Sequence, residues 1–234
     1  MVTEKKGGVV RLFGRSGNSY TEKFPEFADD LAILPNCVLD GELVYEGGNF
    51  PIVCGRCNST QRMVVKLGSM QTPLDYMVFD VLELDGVDLR NEPLSERKKV
   101  LEGIFNSHKF VHFMRVKHDS DPKELYDYAA KNSLEGIVLK RKTSRYSGVR
   151  TKEWIKLKIT EEEVVEATGY EVTNAGVVIT FDNHRVTCNG KQSDKVKAKI
   201  DATGKCKCEI SFLNKTTDGN YRMPTFKRIL GDME

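Results

Sequence analysis

The sequence lacks a long apolar run, a signal peptide, an internal repeat and a low-complexity tract. Without an apolar run of about 20 residues it offers no transmembrane helix, so we expect an intracellular, cytoplasmic protein with no membrane partner. An excess of one charge sign is also missing, because 36 basic and 34 acidic side chains leave a formal net charge of +2. Such a chain has no strong overall affinity for nucleic acid, and any DNA binding must come from local basic patches.

Cysteine is too sparse, at 6 in 234 residues, for a disulfide scaffold in an intracellular chain of this size. Cys54 and Cys57 have the spacing of half a zinc site, and Cys206 and Cys208 could supply the other half. The two pairs are far apart in the sequence, and the second pair is tightly spaced for zinc. We therefore predict reduced, partly buried thiols rather than a zinc site.

The remaining composition, 39% hydrophobic and 30% charged, is typical of a globular protein with one or two domains. Apolar periodicity predicts strands over 2–12, 38–45 and 76–84 and helices over 21–34, 59–67, 93–105 and 122–132. Gly7-Gly8 and Asp85-Gly86 predict hairpin turns. After an acidic break at residues 160–163, short strands over 164–172, 176–182, 184–188 and 207–213 predict a small β-barrel. The predicted fold class is α+β, with domains over residues 1–160 and 161–234.

The stretch from Glu135 to Lys158 concentrates residues that could do chemistry. An apolar run at 137–139 predicts a buried strand, and strict alternation over 154–159 predicts a second strand. Lys156 and Lys158 then share one face, with the apolar residues packed behind. A carboxylate and two ammonium groups on buried strands suit a metal-bound polyphosphate, because charge must be matched where water is partly excluded. On composition alone, a solvated basic hairpin is the more ordinary explanation.

Two segments of this stretch resemble a known family. Glu-Gly-Ile-Val-Leu-Lys at residues 135–140 and Trp-Ile-Lys-Leu-Lys at residues 154–158 resemble motifs IV and V of the ATP-dependent DNA ligases. These enzymes belong to the covalent nucleotidyltransferase superfamily, together with RNA ligases and mRNA capping enzymes. The resemblance extends from about Val9 to the C-terminus.

Further segments match the same family in order. Asp40-Gly41-Glu42 resembles motif III, and the strand that contains Phe79 resembles motif IIIa. Arg15 lies in a segment that resembles the ligase motif just after the nucleophile. Arg222 lies in an ending, residues 219–228, that resembles the close of the ligase OB domain.

The resemblance implies a fold and a function. The fold is an ATP-grasp-like adenylation domain over residues 1–160, incomplete at its N-terminus, followed by an OB-fold β-barrel over residues 161–234. The function is sealing of 5′-phosphate/3′-hydroxyl nicks through enzyme-AMP and DNA-adenylate intermediates. We expect ATP or AMP and Mg²⁺ as cofactors, nicked duplex DNA as partner, and a monomer. The alternatives are a related RNA ligase or capping nucleotidyltransferase, and a non-catalytic module that binds nicks or nucleotides.

The resemblance also implies roles for single residues. Glu42 would accept a hydrogen bond from the ribose, Phe79 would stack on adenine, and Glu135 would anchor Mg²⁺. The implied nucleotide-binding set is Arg15, Glu42, Phe79, Glu135, Lys156 and Lys158. The implied catalytic set is Lys156, Lys158 and Arg222. The implied DNA contacts lie mainly in the loop of residues 140–152 and are Arg141, Lys142, Arg145, Arg150 and Arg228.

Several of these positions have a plainer explanation from the residues alone. Asp40 and Glu42 could pair with arginines, because a bare carboxylate within an apolar strand is costly to bury. Phe79 could be a core aromatic, since most aromatic residues in strands are. Arg15 could be a basic strand end and Arg222 a contact to the DNA backbone.

The nucleophile of the family is missing from this sequence. Ligases carry Lys-x-Asp-Gly, whose lysine attacks the α-phosphate of ATP, and that tetrapeptide does not occur here. Lys5 and Lys6 lie at a predicted turn, where a solvated ammonium stays protonated, whereas a nucleophilic lysine needs burial or nearby cations to lower its pKa. We expect that Met1 is an internal methionine or an artificial boundary. A missing N-terminal segment or a second chain would then supply the nucleophile.

This chain, incubated alone with Mg²⁺ and α-labelled ATP, should form no stable covalent AMP adduct, because no residue matches the nucleophilic lysine. The measurement is denaturing electrophoresis with detection of the label, and a ligase that carries Lys-x-Asp-Gly is the positive control. An acid-labile adduct on any lysine of the chain would contradict this expectation.

Overall fold

The computed structural model describes residues 1–46, 50–116, 121–132, 134–174, 176–188, 190, 192–216 and 218–231. The chain divides into two compact units, Met1–Asp121 with Val138–Ile155 and Pro122–Ile137 with Lys156–Glu234. This division differs from the predicted domains at residues 122–137 and 156–160, and the predicted boundary stays a prediction. None of the helices in the described part of the chain combines the length and apolar character that a membrane crossing requires.

The first unit is built on a mixed sheet. Its strands are β1 (Val2–Lys6), β2 (Val9–Phe13), β3 (Cys37–Val44), β4 (Asp75–Leu84), β5 (Val87–Asp88) and β6 (Phe113–Arg115). The sheet order is β2-β1-β3-β4-β5 with antiparallel neighbours, and β6 runs parallel to β4. Strand β4 is therefore central, as its apolar residues on both faces predict.

Both predicted hairpin turns of this unit are confirmed. Gly7 and Gly8 connect β1 to β2 with φ of 55° and 81°. Asp85 and Gly86 connect β4 to β5 with φ of 47° and 85°. Two consecutive positive φ values fit the two-residue turn that matches strand twist, which is why Gly and Asp-Gly occur there.

The helices of this unit differ in part from the prediction. They are α1 (Ala28–Ile33), α2 (Phe50–Asn58), α3 (Arg62–Gln71) and α4 (Leu94–Ser107). The helix expected over 21–34 is shorter, because a 3₁₀ turn at Pro25–Phe27 precedes α1 and proline favours the first turn of a helix. The helix α2 was not predicted, because its sequence, with Gly55 in the middle, has no clear apolar stripe.

The core of the first unit lies between the sheet and these helices. Aromatic rings dominate its centre, with Phe113 edge-on to Phe27 at 5.3 Å and to Tyr76 at 5.0 Å between ring centroids. Phe24 and Leu34, two apolar residues of the helix predicted over 21–34, are both buried in this core. Each ring of this size contributes a large buried apolar area.

A fully buried ion pair links β4 to α4. Arg97 Nε lies 2.8 Å from Asp80 Oδ1, both side chains are 0% exposed, and a second guanidinium nitrogen donates to Oδ2 at 2.9 Å. The remaining guanidinium nitrogen donates to the carbonyl oxygens of Glu92 and Ser144 at 2.6 and 3.1 Å. The pair is thus hydrogen-bonded on both sides, which a buried charge requires.

The strands β7 (Gly136–Lys140) and β8 (Trp154–Lys158) form a two-stranded sheet, and the division between the units falls within both strands. The predicted burial of their apolar residues is largely wrong. Val138, Ile155 and Leu157 are 48%, 52% and 37% exposed. Strand periodicity is present, but the faces of a two-stranded sheet are buried only where another layer packs on them, and these side chains stay exposed.

The second unit begins with helix α5 (Pro122–Lys131), as predicted. Its further elements are β9 (Glu161–Ala167), β10 (Gly169–Thr173), β11 (Gly176–Phe181), β12 (His184–Cys188), α6 (Gln192–Thr203), β13 (Cys206–Phe212) and β14 (Thr225–Ile229). They form the sheets β10-β11-β12 and β14-β13-β9. One core of buried side chains is shared by both sheets and α6, including Ile179, Val196 and Ile210.

Two expectations for the second unit are corrected. The helix α6 was not predicted, because its sequence is polar and only Val196 and Ile200 are buried. The predicted acidic break is part of strand β9, where Glu162 pairs with Lys227 at 3.2 Å and Glu163 with Lys215 at 2.7 Å. The two lysines, one on β14 and one in the segment between β13 and β14, offset the charge that made this segment look like a linker.

All six cysteines are free thiols, and those of Cys37, Cys188, Cys206 and Cys208 are buried. Burial raises the pKa of the Cys37 thiol to about 12. Within the described residues no group of three or more His, Cys, Asp or Glu side chains is arranged to hold a metal ion.

Breaking the buried ion pair should destabilise the first unit strongly. The variants Asp80→Asn and Arg97→Met should each lower the free energy of unfolding by about 3–5 kcal/mol, because each leaves a buried group without its partner. Urea unfolding followed by circular dichroism measures this. The matched control is Asp88→Asn, which breaks an ion pair to Arg90 between side chains that are 45% and 60% exposed and should change stability little. A loss below about 1 kcal/mol in both buried variants would contradict the expectation.

Candidate functional site

Strand β4 carries an extra residue where it pairs with β3. Gly41 lies opposite Val78 and Asp40 lies opposite Asp80, so Phe79 has no partner on β3. A bulge of this kind bends the strand and re-aims a side chain, and bulges are common beside functional sites. The backbone therefore singles out the aromatic residue that the resemblance assigns to adenine.

Glu42 and Phe79 lie on one face of the sheet. Glu42 is directly opposite Met77, and Phe79 follows Met77 by two residues, so strand alternation places the three side chains on the same side. Tyr76 and Val78, which point the other way, are both 0% exposed. Met77 and Phe79 are half-buried and Glu42 is exposed. Phe79 is thus not a core aromatic, and a ligand can reach both Glu42 and Phe79.

The Asp40-Gly41 step has a local packing reason. A Cβ atom on Gly41 would lie 2.6 Å from the Met77 carbonyl oxygen, so only glycine fits between the strands. Asp40 accepts a hydrogen bond from the Tyr146 hydroxyl at 2.7 Å. Burial raises the pKa of Asp40, and this hydrogen bond offsets part of the shift. The predicted alternative of an arginine partner is therefore wrong for Asp40, whose partner is a tyrosine.

Lys140 lies against Phe79, although the sequence placed it in the basic loop. Its Nζ is 3.9 Å from the centroid of the Phe79 ring and 3.8 Å from that of Trp154. The two rings are edge-on to each other at 6.4 Å. Burial lowers the pKa of Lys140 to about 8. The sequence did not single out Lys140 because this residue, the last of an apolar strand, is followed directly by Arg141 and Lys142. Nothing in that basic run shows that one of its members is partly buried.

Lys98, the neighbour of Arg97 on α4, was also missed. Its ammonium donates to the Phe79 carbonyl oxygen. Burial, followed by the charge of Lys140, lowers the pKa of Lys98 to about 7. No local pattern distinguishes it from its exposed neighbour Lys99, which pairs with Glu96 at 2.9 Å.

The loop after β7 presents most of the predicted DNA contacts. Arg141, Lys142, Arg145 and Arg150 are all exposed. Arg141 pairs with Glu153 at 3.1 Å, the one acidic residue in this loop. The loop is fixed to the start of α4, since the backbone N–H groups of Leu94 and Ser95 donate to the carbonyls of Ser144 and Lys142 at 2.8 and 2.9 Å. The basic side chains therefore project from an anchored backbone.

The second unit contains a separate cluster of charges. Lys156 Nζ donates to Glu135 Oε1 at 2.6 Å, and both side chains are about half exposed, at 49% and 45%. The hydrogen bond from Lys156, followed by the charges of Lys156, Lys158 and Arg222, lowers the pKa of Glu135. Lys158 lies 3.4 Å from the sulfur of Met223, the residue after Arg222. The structure thus brings together four residues that the sequence predicted for phosphate and metal.

Backbone packing fixes the position of Glu135. Gly136, with φ of 143°, faces β8 so closely that a Cβ atom would lie 2.0 Å from the Leu157 carbonyl oxygen. The Ile159 N–H donates to the Glu135 carbonyl at 3.0 Å. The Glu-Gly pair is therefore needed for the carboxylate to lie beside the cations of β8.

The residues present fit Mg²⁺ only if substrate phosphates and water supply most of its ligands. Glu135 is a lone carboxylate, and the described residues show no group of three or more His, Cys, Asp or Glu side chains around it. Mg²⁺ often binds one protein carboxylate while substrate phosphates and water complete its octahedral shell. Glu135 is accessible enough for that role once Lys156 turns to a phosphate oxygen.

The remaining two predicted residues are Arg15 and Arg228. Arg15 is exposed in a tight turn, in which the Gly14 N–H donates to the Asn18 carbonyl at 2.9 Å. Arg228, on β14, pairs with Glu209 at 2.7 Å, so it must exchange this partner to contact a DNA phosphate.

Comparisons with known proteins agree with these motifs. The family model of the ATP dependent DNA ligase domain matches residues 1–158. The SPbeta prophage-derived DNA ligase-like protein LigB of Bacillus subtilis (strain 168) is 27% identical over 245 residues, which cover 97% of this chain and 87% of LigB. DNA ligase 1 of Korarchaeum cryptofilum (strain OPF8) is 31% identical over 170 residues, which cover 67% of this chain but only 30% of that ligase.

A solved structure shows the same fold. The ligase domain from M. tuberculosis LigD is similar with a TM-score of 0.57 and 22% identity, over 100% of this chain and 86% of that one. The chain therefore spans most of the LigB-like protein and of this domain, and less than a third of the archaeal ligase.

The lowered pKa of Lys98 should make stability depend on pH. Its ordinary pKa is 10.5 and its folded value is about 7, so at intermediate pH the unfolded chain binds more protons and the free energy of unfolding rises with pH. From about pH 6 to about pH 8 this rise should be smaller in Lys98→Met than in Lys99→Met, the exposed control on the same helix. Urea unfolding at each pH measures it, and equal rises in the two variants would argue against a buried Lys98 ammonium.

Proposed function

The chain belongs to the ATP-dependent DNA ligase family, and we propose that it seals 5′-phosphate/3′-hydroxyl nicks in duplex DNA. In that reaction AMP passes from ATP to the lysine of a Lys-x-Asp-Gly motif, then to the 5′-phosphate, and the 3′-hydroxyl finally displaces AMP. This sequence lacks that motif, so the chain alone does not carry out the first step. Each step is an in-line transfer at phosphorus, so the protein contributes positioning and charge neutralisation. The observation that carries the proposal is the bulge that sets Phe79 beside Glu42 on an accessible sheet face.

The first unit binds the nucleoside of ATP or AMP in this proposal. Phe79 offers a ring face for the adenine base, and stacking of this kind contributes about 1 kcal/mol beyond the buried area. Glu42 accepts a hydrogen bond from a ribose hydroxyl, and its exposure leaves the carboxylate free to do so. Asp40 has a different task, since its hydrogen bond with Tyr146 ties β3 to the loop that precedes β8.

The second unit binds phosphate in this proposal. Lys156 and Lys158 hold phosphate oxygens, and Lys156 exchanges its contact with Glu135 for a contact with the substrate. Arg222, whose charge already acts on Glu135, neutralises the polyphosphate during adenylation. Mg²⁺ bound at Glu135 would supply further charge neutralisation at the α-phosphate.

DNA contacts fall to the exposed arginines and lysines. The anchored loop presents Arg141, Lys142, Arg145 and Arg150 to the phosphate backbone, and Arg228 adds a contact from the second unit. Arg15 belongs near the nucleotide and the nick. Contacts of this type position the protein without reading sequence and weaken as salt increases.

The finer fold assignment belongs to the same proposal. The first unit corresponds to an ATP-grasp-like adenylation domain. The second corresponds to an OB-fold, a small partly open barrel in which a helix lies between successive strands; here α6 lies between β12 and β13. Two three-stranded sheets around one core support this assignment.

Substitution on the candidate sheet face should weaken nucleotide binding selectively. The variants Glu42→Ala and Phe79→Ala should each reduce affinity for AMP several-fold, by about 1 kcal/mol, because one removes a ribose acceptor and the other the stacking ring. Glu46→Ala is the matched control, since Glu46 is an exposed glutamate a few residues further along the chain. Isothermal calorimetry gives the three affinities relative to the unmodified chain.

Equal affinities in all three variants would remove Glu42 and Phe79 from the nucleotide site. A loss in Glu46→Ala as large as the other two would point to nonspecific charge or folding effects instead. Thermal melting of each variant shows whether a loss of affinity comes from unfolding or from the loss of a contact with the nucleotide.

A further inference from the structure

The ammonium of Lys140 lies where two aromatic faces meet. Its Nζ is 3.9 Å from the Phe79 centroid and 3.8 Å from the Trp154 centroid. Distances this short place the nitrogen over each ring face, because a contact at the edge would add the radius of the ring. One face of Phe79 is therefore covered by Lys140.

This cation is held by aromatic rings rather than by a carboxylate. The charged groups that act on it are Asp80 on β4, Asp40 on β3, and Arg97 and Lys98 on α4. Asp80 is bound to Arg97 and Asp40 to Tyr146, so both carboxylates already have nearer partners. Within the described residues the direct contacts of the Lys140 ammonium are to Phe79 and Trp154.

Trp154 is itself held in place. Its indole N–H donates to the Ser144 hydroxyl at 3.3 Å, and Ser144 is buried against the start of α4. The Trp154 ring therefore has a fixed position. Lys140 contacts this ring on one side and the Phe79 ring on the other. Phe79 needs such support because, as the bulged residue, it lacks the cross-strand neighbour on β3 that orients an ordinary strand side chain.

We propose that Lys140 is a positioning residue that clamps the Phe79 ring against Trp154 and leaves only the opposite ring face for a purine base. The inference rests on the proposed role of Phe79 in nucleotide binding. It assigns the direction from which the base stacks and adds Lys140 and Trp154 to the residues that determine affinity for the base.

The first test separates the base from the sugar phosphate. Lys140→Met keeps the length and apolar stem of the side chain but removes the charge. It should lower affinity for AMP about fivefold, and leave affinity for ribose 5-phosphate, which has no base, unchanged. Lys140→Arg should restore AMP affinity, since a guanidinium also binds aromatic faces. Calorimetry with both ligands supplies the values.

The second test uses the intrinsic fluorescence of Trp154, which is the single tryptophan of the sequence. Its fluorescence should change with a midpoint near pH 8, because the pKa of Lys140 is about 8 and the ammonium touches the indole. Lys140→Met should abolish this transition, and Lys99→Met should retain it. This readout does not require nucleotide, so it holds even where a variant binds poorly.

The outcomes discriminate between the proposals. Reduced AMP affinity in both Phe79→Ala and Lys140→Met, with unchanged ribose 5-phosphate binding and a lost fluorescence transition, supports the clamp. Reduced affinity in Phe79→Ala alone, or increased affinity in Lys140→Met, overturns the clamp and leaves the proposed function standing. Unchanged affinity in Phe79→Ala removes the base site and the clamp together. A fluorescence transition that persists in Lys140→Met also overturns the clamp.

Discussion

The buried ion pair between Asp80 and Arg97 is the interaction on which the first unit depends. Each end of it adjoins a candidate site residue in the chain, Phe79 before Asp80 and Lys98 after Arg97. Arg97 also donates to the Ser144 carbonyl and so fixes the backbone of the loop between β7 and β8. The Arg97 guanidinium therefore holds strand β4, helix α4 and the loop before β8 in fixed positions relative to one another.

Desolvation governs the chemistry of the same region. The sheet and α4 partly bury Lys98 and Lys140, and this burial lowers the pKa of both ammonium groups. Burial raises the pKa of Asp40 for the same physical reason. In the second unit the opposite balance holds, since the hydrogen bond from Lys156 and the charges of Lys156, Lys158 and Arg222 lower the pKa of Glu135. The surroundings of Phe79 are thus partly shielded from water, whereas Glu135 and Lys156 are open to solvent and to exchange of partners.

Local sequence signals predicted the parts of the fold that local physics decides. Turns at Gly7-Gly8 and Asp85-Gly86 need positive φ, and the central position of β4 follows from apolar residues on both faces. The helices α2 and α6 could not be predicted from pattern, because their apolar residues do not form a clear stripe. Motif resemblance pointed to Glu42 and Phe79, and the structure added the bulge. Lys140 ends the segment that resembles motif IV, but the sequence assigned it no contact with Phe79, because its surroundings come from β4, β8 and α4.

The central claim is that this chain carries the residues for joining DNA even though its sequence lacks the nucleophilic lysine motif. A nicked duplex whose 5′-phosphate already carries AMP tests this directly, because the final step needs only the 3′-hydroxyl to displace AMP. Incubated with this chain and Mg²⁺ but without ATP, that substrate should yield sealed strands on a denaturing gel. Failure to seal, by folded protein that demonstrably binds the same duplex, would contradict the account and leave a module that binds nicks without joining them.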